Sequence, residues 1–166
     1  MTLADYDIAL ATRDDIAGIL DLQDRNLLDR GGLLSVGFSA AWFEAALALM
    51  PVIVARRDGR VGGYLVSTPY TAHADVPIVQ AMLRAYPGSP GAYLYGPICV
   101  MQSERGRGLA HALFAELRAR LPGREGIAFI RRDNAASLRA HDKMGLREVA
   151  EFTHDGVVHA VVAYVG

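Results

Sequence analysis

The chain has 166 residues, 52% of them hydrophobic, and its 17 Lys and Arg nearly balance 18 Asp and Glu for a net charge of −1. That length and apolar content suffice for one compact soluble domain, residues 1–166, and the missing cationic excess argues against a protein built to grip nucleic acid, which needs Lys and Arg over a whole face. A single cysteine, Cys99, permits no intrachain disulfide and suits a reducing, cytoplasmic setting, while the acidic first residues and the lack of a long apolar run argue against secretion and membrane insertion.

Tyr6 to Ala11 alternates like a half-buried strand. Thr12, before Arg13-Asp14-Asp15, is an N-cap candidate for a helix carrying Ile16, Ile19, Leu20 and Leu22. Periodicity is lost from Asn26 to Gly37 through Gly31-Gly32, which predicts a loop. Ser39 caps a second predicted helix, Ala40 to Met50, closed by Pro51. The period then changes. Val52 to Arg56 and Val61 to Ser67 flank Asp58-Gly59, the turn chemistry of an antiparallel hairpin. Pro69, Pro77, Pro87 and Pro90 bracket an excursion, 68–91, with one helix from Val76 to Tyr86.

Tyr93 to Met101 is an aromatic and β-branched strand, and Leu109 to Leu121 has helical spacing. Between them stands Arg105-Gly106-Arg107-Gly108-Leu109-Ala110. Glycines at a strand-to-helix turn let an anion approach backbone N–H groups that have no intrahelical partner, where the helix dipole is positive; the two arginines add charge-assisted hydrogen bonds. A strand, Gly126 to Arg131, follows, so the strand–helix–strand unit predicts parallel pairing. Asn134 then caps a helix to about Met144 with Gly145 at its C′ position, and a hairpin around Asp155-Gly156 ends the chain.

The glycine turn alone is a weak signal. A Rossmann fingerprint needs a small residue where His111 stands, and no Walker Gly-Lys-Ser/Thr is present, so dinucleotide and NTP sites are excluded. The second element of the pattern lies one strand later: Asn134, Ser137 three residues on, His141 seven on, and Gly145-Leu146. Together with Arg105 to Ala110, and with Val100 and Gln102 before it, this resembles the Gcn5-related N-acetyltransferases (GNAT), which carry Arg/Gln-x-x-Gly-x-Gly/Ala after their fourth strand. The order of elements is similar over nearly the whole chain.

The resemblance implies an α/β (α+β) fold, with a mixed sheet of about seven strands splayed between the fourth and fifth and about four to five helices on both faces. It also implies acetyl-CoA as acyl donor, held by main-chain groups of Ile98, Cys99 and Val100 on the pantetheine arm, by Arg105, Gly106, Arg107, Gly108, Leu109 and Ala110 on the pyrophosphate, and by Asn134, Ser137 and His141. Most of the family has tyrosine where His141 stands; relatives similar to phosphinothricin acetyltransferase have histidine. As a general acid, a sulfur contact, an acceptor contact or a packing residue, His141 stays open. Gly96-Pro97 suits a strand break.

The reaction expected from the resemblance is transfer of an acyl group, foremost acetyl, to a primary amine by direct attack in a ternary complex; the alternative is a non-catalytic acyl-CoA sensor of the same fold. The acceptor is a small-molecule amine or a protein or peptide amine, with no nucleic acid, membrane or metal, and the chain is a monomer or homodimer. An acceptor pocket is expected from the 26–38 stretch, Asn26 and Phe38 included, from Tyr64 and from Tyr93 or Tyr95, with the 68–91 excursion as a lid or dimer contact. Glu44, Tyr64, Tyr93, Tyr95 and His73 remain open as the base. Cys99 reads as a buried thiol, Trp42 and Phe43 as core, Arg131-Arg132-Asp133 as a solvated strand exit, and His154 and His159 as non-converging across their turn.

Overall fold

The computed structural model describes residues 2–34 and 36–166, which form two compact units. The first comprises 1–67 with 96–120, the second 68–95 with 121–166. Seven strands follow the hydrogen-bonded order β1-β2-β3-β4-β5-β7-β6: β1 (Asp7–Leu10), β2 (Val52–Arg57), β3 (Arg60–Thr68), β4 (Tyr93–Val100), β5 (Glu125–Arg131), β6 (Arg147–His154) and β7 (Val157–Val165). Among the described residues five α-helices accompany them: α1 (Ile16–Asn26), α2 (Ala40–Leu49), α3 (Pro77–Ala85), α4 (Leu109–Arg120) and α5 (Ala135–Lys143). No helix among the described residues is long and apolar enough to cross a membrane.

In the first unit β1, β2 and β3 pair antiparallel. Asp58 and Gly59 both take positive φ (51° and 72°), which matches the right-handed twist of the strands they join. Ile16, Ile19 and Leu22 of α1 and Phe43 and Ala46 of α2 pack with Val52, Val54, Tyr64, Val66 and Cys99 in one apolar cluster. Gly63 makes room for α4: a Cβ there would lie 3.1 Å from Leu113 and 3.5 Å from Leu109. Thr12 takes the N-cap position the sequence predicts, with no side-chain bond to the helix backbone, and a 3-10 turn, Arg13–Asp15, precedes the α-helix proper. The Asp15 carboxylate accepts from the Thr12 N–H at 2.7 Å and takes the Arg56 guanidinium through two hydrogen bonds of 2.6 Å.

In the second unit β4 runs parallel to β5 over Tyr93↔Gly126 and Leu94↔Ile127 only, β5 pairs antiparallel with β7 along its whole length, and β7 pairs with β6. The excursion resolves into a 3-10 turn, Tyr70–His73, and α3. Val79 and Met82 of α3 pack on Leu94, Ile127, Phe152 and Val161, so the excursion covers an apolar sheet face of its own unit. Glu125 pins its far end, accepting from the Tyr86 hydroxyl at 3.2 Å and the Ser89 N–H at 3.1 Å. On the opposite face Tyr93 and Tyr164 meet edge to face and their hydroxyls are hydrogen-bonded. Gly126 admits the Tyr164 ring, which a Cβ would approach to 2.4 Å.

Candidate functional site

The first unit presents the glycine turn. A 3-10 turn, Gln102–Glu104, leads into it, and Gly106 and Gly108 take φ of +75° and +86°, conformations that a side chain strains. The first backbone bond of α4 runs from the Ala112 N–H to the Gly108 carbonyl at 3.0 Å. The N–H groups of Gly106, Arg107, Gly108, Leu109, Ala110 and His111 donate to no acceptor among the described residues. All but the buried Leu109 belong to exposed or half-exposed residues, and the run stands at the positive end of a 12-residue helix, an arrangement that binds anions.

The arginines of the turn divide. Arg107 is exposed; Arg105 donates through Nε to the Val100 carbonyl at 3.2 Å and through Nη2 to the Asn26 side-chain oxygen. Arg105 therefore ties the turn to α1 and β4. Asn26 is itself buried and anchored, its amide donating to the Leu22 carbonyl at 2.7 Å. Sequence reasoning missed the support beneath the turn. Glu104 is buried and pairs with Arg57 at 3.4 Å, and the Arg57 guanidinium lies 4.9 Å from the Tyr6 ring centre. Burial and the Glu104 carboxylate push the Tyr6 phenol pKa up. A buried acid directly before the basic turn was the one available signal, since such a group needs a cationic partner.

On β4, Gly96-Pro97 is a cis peptide with Gly96 at φ +107°, and Gly96, Pro97 and Ile98 are half-exposed. Cys99 is 4% exposed, and burial pushes its thiol up to about 12, which disfavours the thiolate near neutrality.

The second unit presents α5. Asn134 caps it, its side-chain oxygen accepting from the Ser137 N–H at 3.1 Å. At the other end the Leu146 N–H reaches the His141 carbonyl at 3.0 Å and the Gly145 N–H the Asp142 carbonyl at 2.9 Å, a Schellman closure with Gly145 at φ +90°. Asn134→Ala is expected to cost about 1 kcal/mol, a fall in Tm of about 3 °C by thermal melting. An unchanged melt would mean that the cap is dispensable.

His141, 4% exposed, sits on the inner side of α5. Its Nδ1 lies 2.7 Å from the Ser137 carbonyl oxygen and 3.3 Å from the Ser137 hydroxyl, and the Tyr95 ring stands edge to face at 5.5 Å. Burial holds the imidazole pKa below its usual value, with partial compensation from the Ser137 carbonyl. Burial also raises the Tyr95 phenol well above the usual range.

Of the expected acceptor residues, Tyr64 is fully buried against Phe43 with an unpartnered hydroxyl, and Tyr93 is equally buried beside Tyr164. Burial raises the Tyr64 phenol far above neutrality. Phe38 is half-exposed: its ring stacks on Trp42 at 3.9 Å, and its backbone is held from both sides by the Gln23 amide at 2.9 and 2.8 Å. Ser35, within the 26–38 stretch, lies outside the described residues. His73 is buried with Nε2 at 2.8 Å from the Thr68 hydroxyl, and Glu44 is exposed on α2. Arg131 and Arg132 are paired with Asp133, Glu148 and Glu151. His159 stacks on Phe152 at 5.0 Å while His154 stands opposite Val157. No cluster of His, Cys, Asp and Glu among the described residues could hold a metal ion.

The family model described as acetyltransferase (GNAT) matches residues 21–146. Among solved structures, the ribosomal-protein-alanine N-acetyltransferase of Brucella melitensis shares 23% identity, with 96% of this chain and 99% of that one covered and a TM-score of 0.67. The phosphinothricin acetyltransferase of Sinorhizobium meliloti, solved in complex with acetyl-CoA, shares 19% identity over 96% and 88% of the two chains at a TM-score of 0.69. An N-acetyltransferase of Staphylococcus aureus Mu50 shares 22% over 96% and 98%, also at 0.69. No curated protein matches the sequence.

Proposed function

The chain belongs to the acetyltransferase (GNAT) family, and on that footing we propose that it transfers acetyl from acetyl-CoA to a primary amine by direct attack, without a covalent enzyme intermediate. One observation carries the reading: the unpartnered N–H groups from Gly106 to His111, on a turn opened by two positive-φ glycines, fit a pyrophosphate. In the first unit Arg105, Gly106, Arg107, Gly108, Leu109 and Ala110 would hold that pyrophosphate, and the main chain of the half-exposed Ile98 and Val100 and of the buried Cys99 between them would pair with the pantetheine arm as an added strand does. In the second unit Asn134, Ser137 and His141 would serve the thioester end. When bound, acetyl-CoA supplies an activated acyl group and a thiolate leaving group.

What the chain adds is position and electrostatics. Backbone N–H groups of β4 are suited to hold the thioester carbonyl oxygen, a contribution of about 3 kcal/mol where such donors are aligned. Within the first unit the half-exposed Phe38, with Asn26, remains proposed for the surroundings of the acceptor; Tyr64, expected there from the sequence, is fully buried and could act only from behind its surface, as could the buried Tyr93 and Tyr95 in the second unit. Ribosomal-protein alanine and phosphinothricin, the acceptors named for two structural relatives, span the protein and small-molecule amines to be tested.

The deciding experiment is acceptor-dependent release of CoA over a panel of amino acids, phosphinothricin, aminoglycosides, polyamines and peptides with N-terminal alanine or internal lysine. Release with one class assigns the acceptor. Binding of acetyl-CoA with no release on any amine would mark a sensor instead. Direct attack further predicts that Cys99→Ala keeps turnover within about threefold and that double-reciprocal lines intersect; parallel lines would mean an acyl-enzyme.

A further inference from the structure

We propose that His141, on the acetyl-transfer reading above, is the proton acceptor of the reaction: its Nε2 takes the proton of the attacking amine and passes it to the departing sulfur. The geometry sets the direction of proton flow. A carbonyl oxygen can only accept, so at 2.7 Å from the Ser137 carbonyl Nδ1 must carry the ring hydrogen, and the hydroxyl of Ser137 at 3.3 Å shares that same N–H. In the neutral ring this leaves Nε2 with a lone pair and no proton to give. Nε2 has no hydrogen-bond partner among the described residues.

The surroundings keep the ring in that form. Tyr95 from β4 stands edge-on at 5.5 Å, and behind it Tyr164 from β7 contacts Tyr95 at 5.8 Å; both are phenols rather than carboxylates. On its own helix the neighbours Arg139, Asp142 and Lys143 are directed to solvent. No acid faces the imidazole within this unit to favour imidazolium, and burial lowers its pKa.

The step balances. The amine lone pair forms the C–N bond, the C–S bond breaks, and the electron pair of that bond leaves on sulfur. The N–H proton of the amine goes to Nε2 and from there to sulfur, so the ring returns to its Nδ1–H form. The net products are the amide and the CoA thiol. A tyrosine at this position can donate a proton at neutrality; this histidine must first receive one.

Two measurements test the proposal. Nitrogen-15 NMR of the five histidines, with His141→Gln for assignment, reads the tautomer without any activity. The expected result is Nδ1–H with an unprotonated Nε2 from pH 6 to 8, titrating below the ordinary 6.5. An Nε2–H tautomer, or a ring still protonated above pH 7, would overturn it. In kinetics with acetyl-CoA and the panel amine that gives fastest release, kcat should rise with pH through the pKa of His141. His141→Gln should lose about 100-fold in kcat and lose that limb, while calorimetry finds acetyl-CoA affinity within about threefold. Activity falling with rising pH through that pKa, or a Gln variant with unaltered kcat, overturns the role of His141 alone. A wild-type chain to which acetyl-CoA does not bind overturns the acetyl-transfer reading itself.

Discussion

Gly108→Glu is expected to weaken acetyl-CoA binding by at least about 100-fold, or about 2.7 kcal/mol, while the protein stays folded. The introduced carboxylate stands at the N-terminus of α4, where it competes for the free N–H groups between Gly106 and His111 and repels a pyrophosphate. Gly108→Ala separates charge from backbone strain. Its Cβ lies 3.2 Å from Leu3 in a residue at φ +86°, so it should cost about 1 kcal/mol of stability and leave most of the affinity. Calorimetry with acetyl-CoA, alongside melting curves, distinguishes the two. If the glutamate variant melts normally and binds acetyl-CoA as tightly as the parent, the pyrophosphate does not sit on this turn.

Asp15→Ala is expected to destabilise the fold by about 3 kcal/mol, because it takes two hydrogen bonds from a partly buried guanidinium and removes a cap together. Asp15 is 7% exposed and holds Arg56 through both oxygens, while Arg56 also donates to Asp7 at 3.1 Å and the Leu10 carbonyl at 3.0 Å. Burial alone would raise the Asp15 pKa; hydrogen bonds from Arg56 and Thr12 outweigh it and hold the group below its ordinary value. The folded pKa therefore lies under the unfolded one. The stabilisation is fully present above the ordinary carboxylate range and is lost as pH falls through the depressed folded value. Chemical denaturation of parent and variant from pH 2 to 7 should give a difference that is largest at neutrality and shrinks in acid. A difference independent of pH would remove Asp15 from the acid limb.

Local chemistry was legible in the sequence where a few adjacent residues decide it. Asp58-Gly59 and Asp155-Gly156 both turn with paired positive φ, Asn134 and Gly145 close the two ends of α5, and Pro77 opens α3. The parallel β4–β5 pair followed from the intervening helix. Contacts between distant residues were not legible. The Arg105 side chain bonds to Asn26, 79 positions away, and Glu104 finds Arg57 from the preceding hairpin. Nothing in one sequence announces such a pair, because surface arginines outnumber buried carboxylates and any of them could serve. The tautomer of His141 was within reach in principle, since a helical histidine at i can meet the carbonyl at i−4; what the spacing could not supply was the burial that makes that bond decide the charge.

The buried Cys99 has a practical corollary for assay. Transfer is followed most simply by trapping the liberated CoA thiol with an aromatic disulfide reagent, and a protein thiol that reacts too contributes background in proportion to enzyme. Here the sole sulfhydryl is buried and its thiol is pushed up to about 12, so the folded protein is expected to react little with the reagent and slow turnover to be readable at high enzyme concentration. A cysteine introduced at an exposed position would correspondingly be the single labelling site of the molecule.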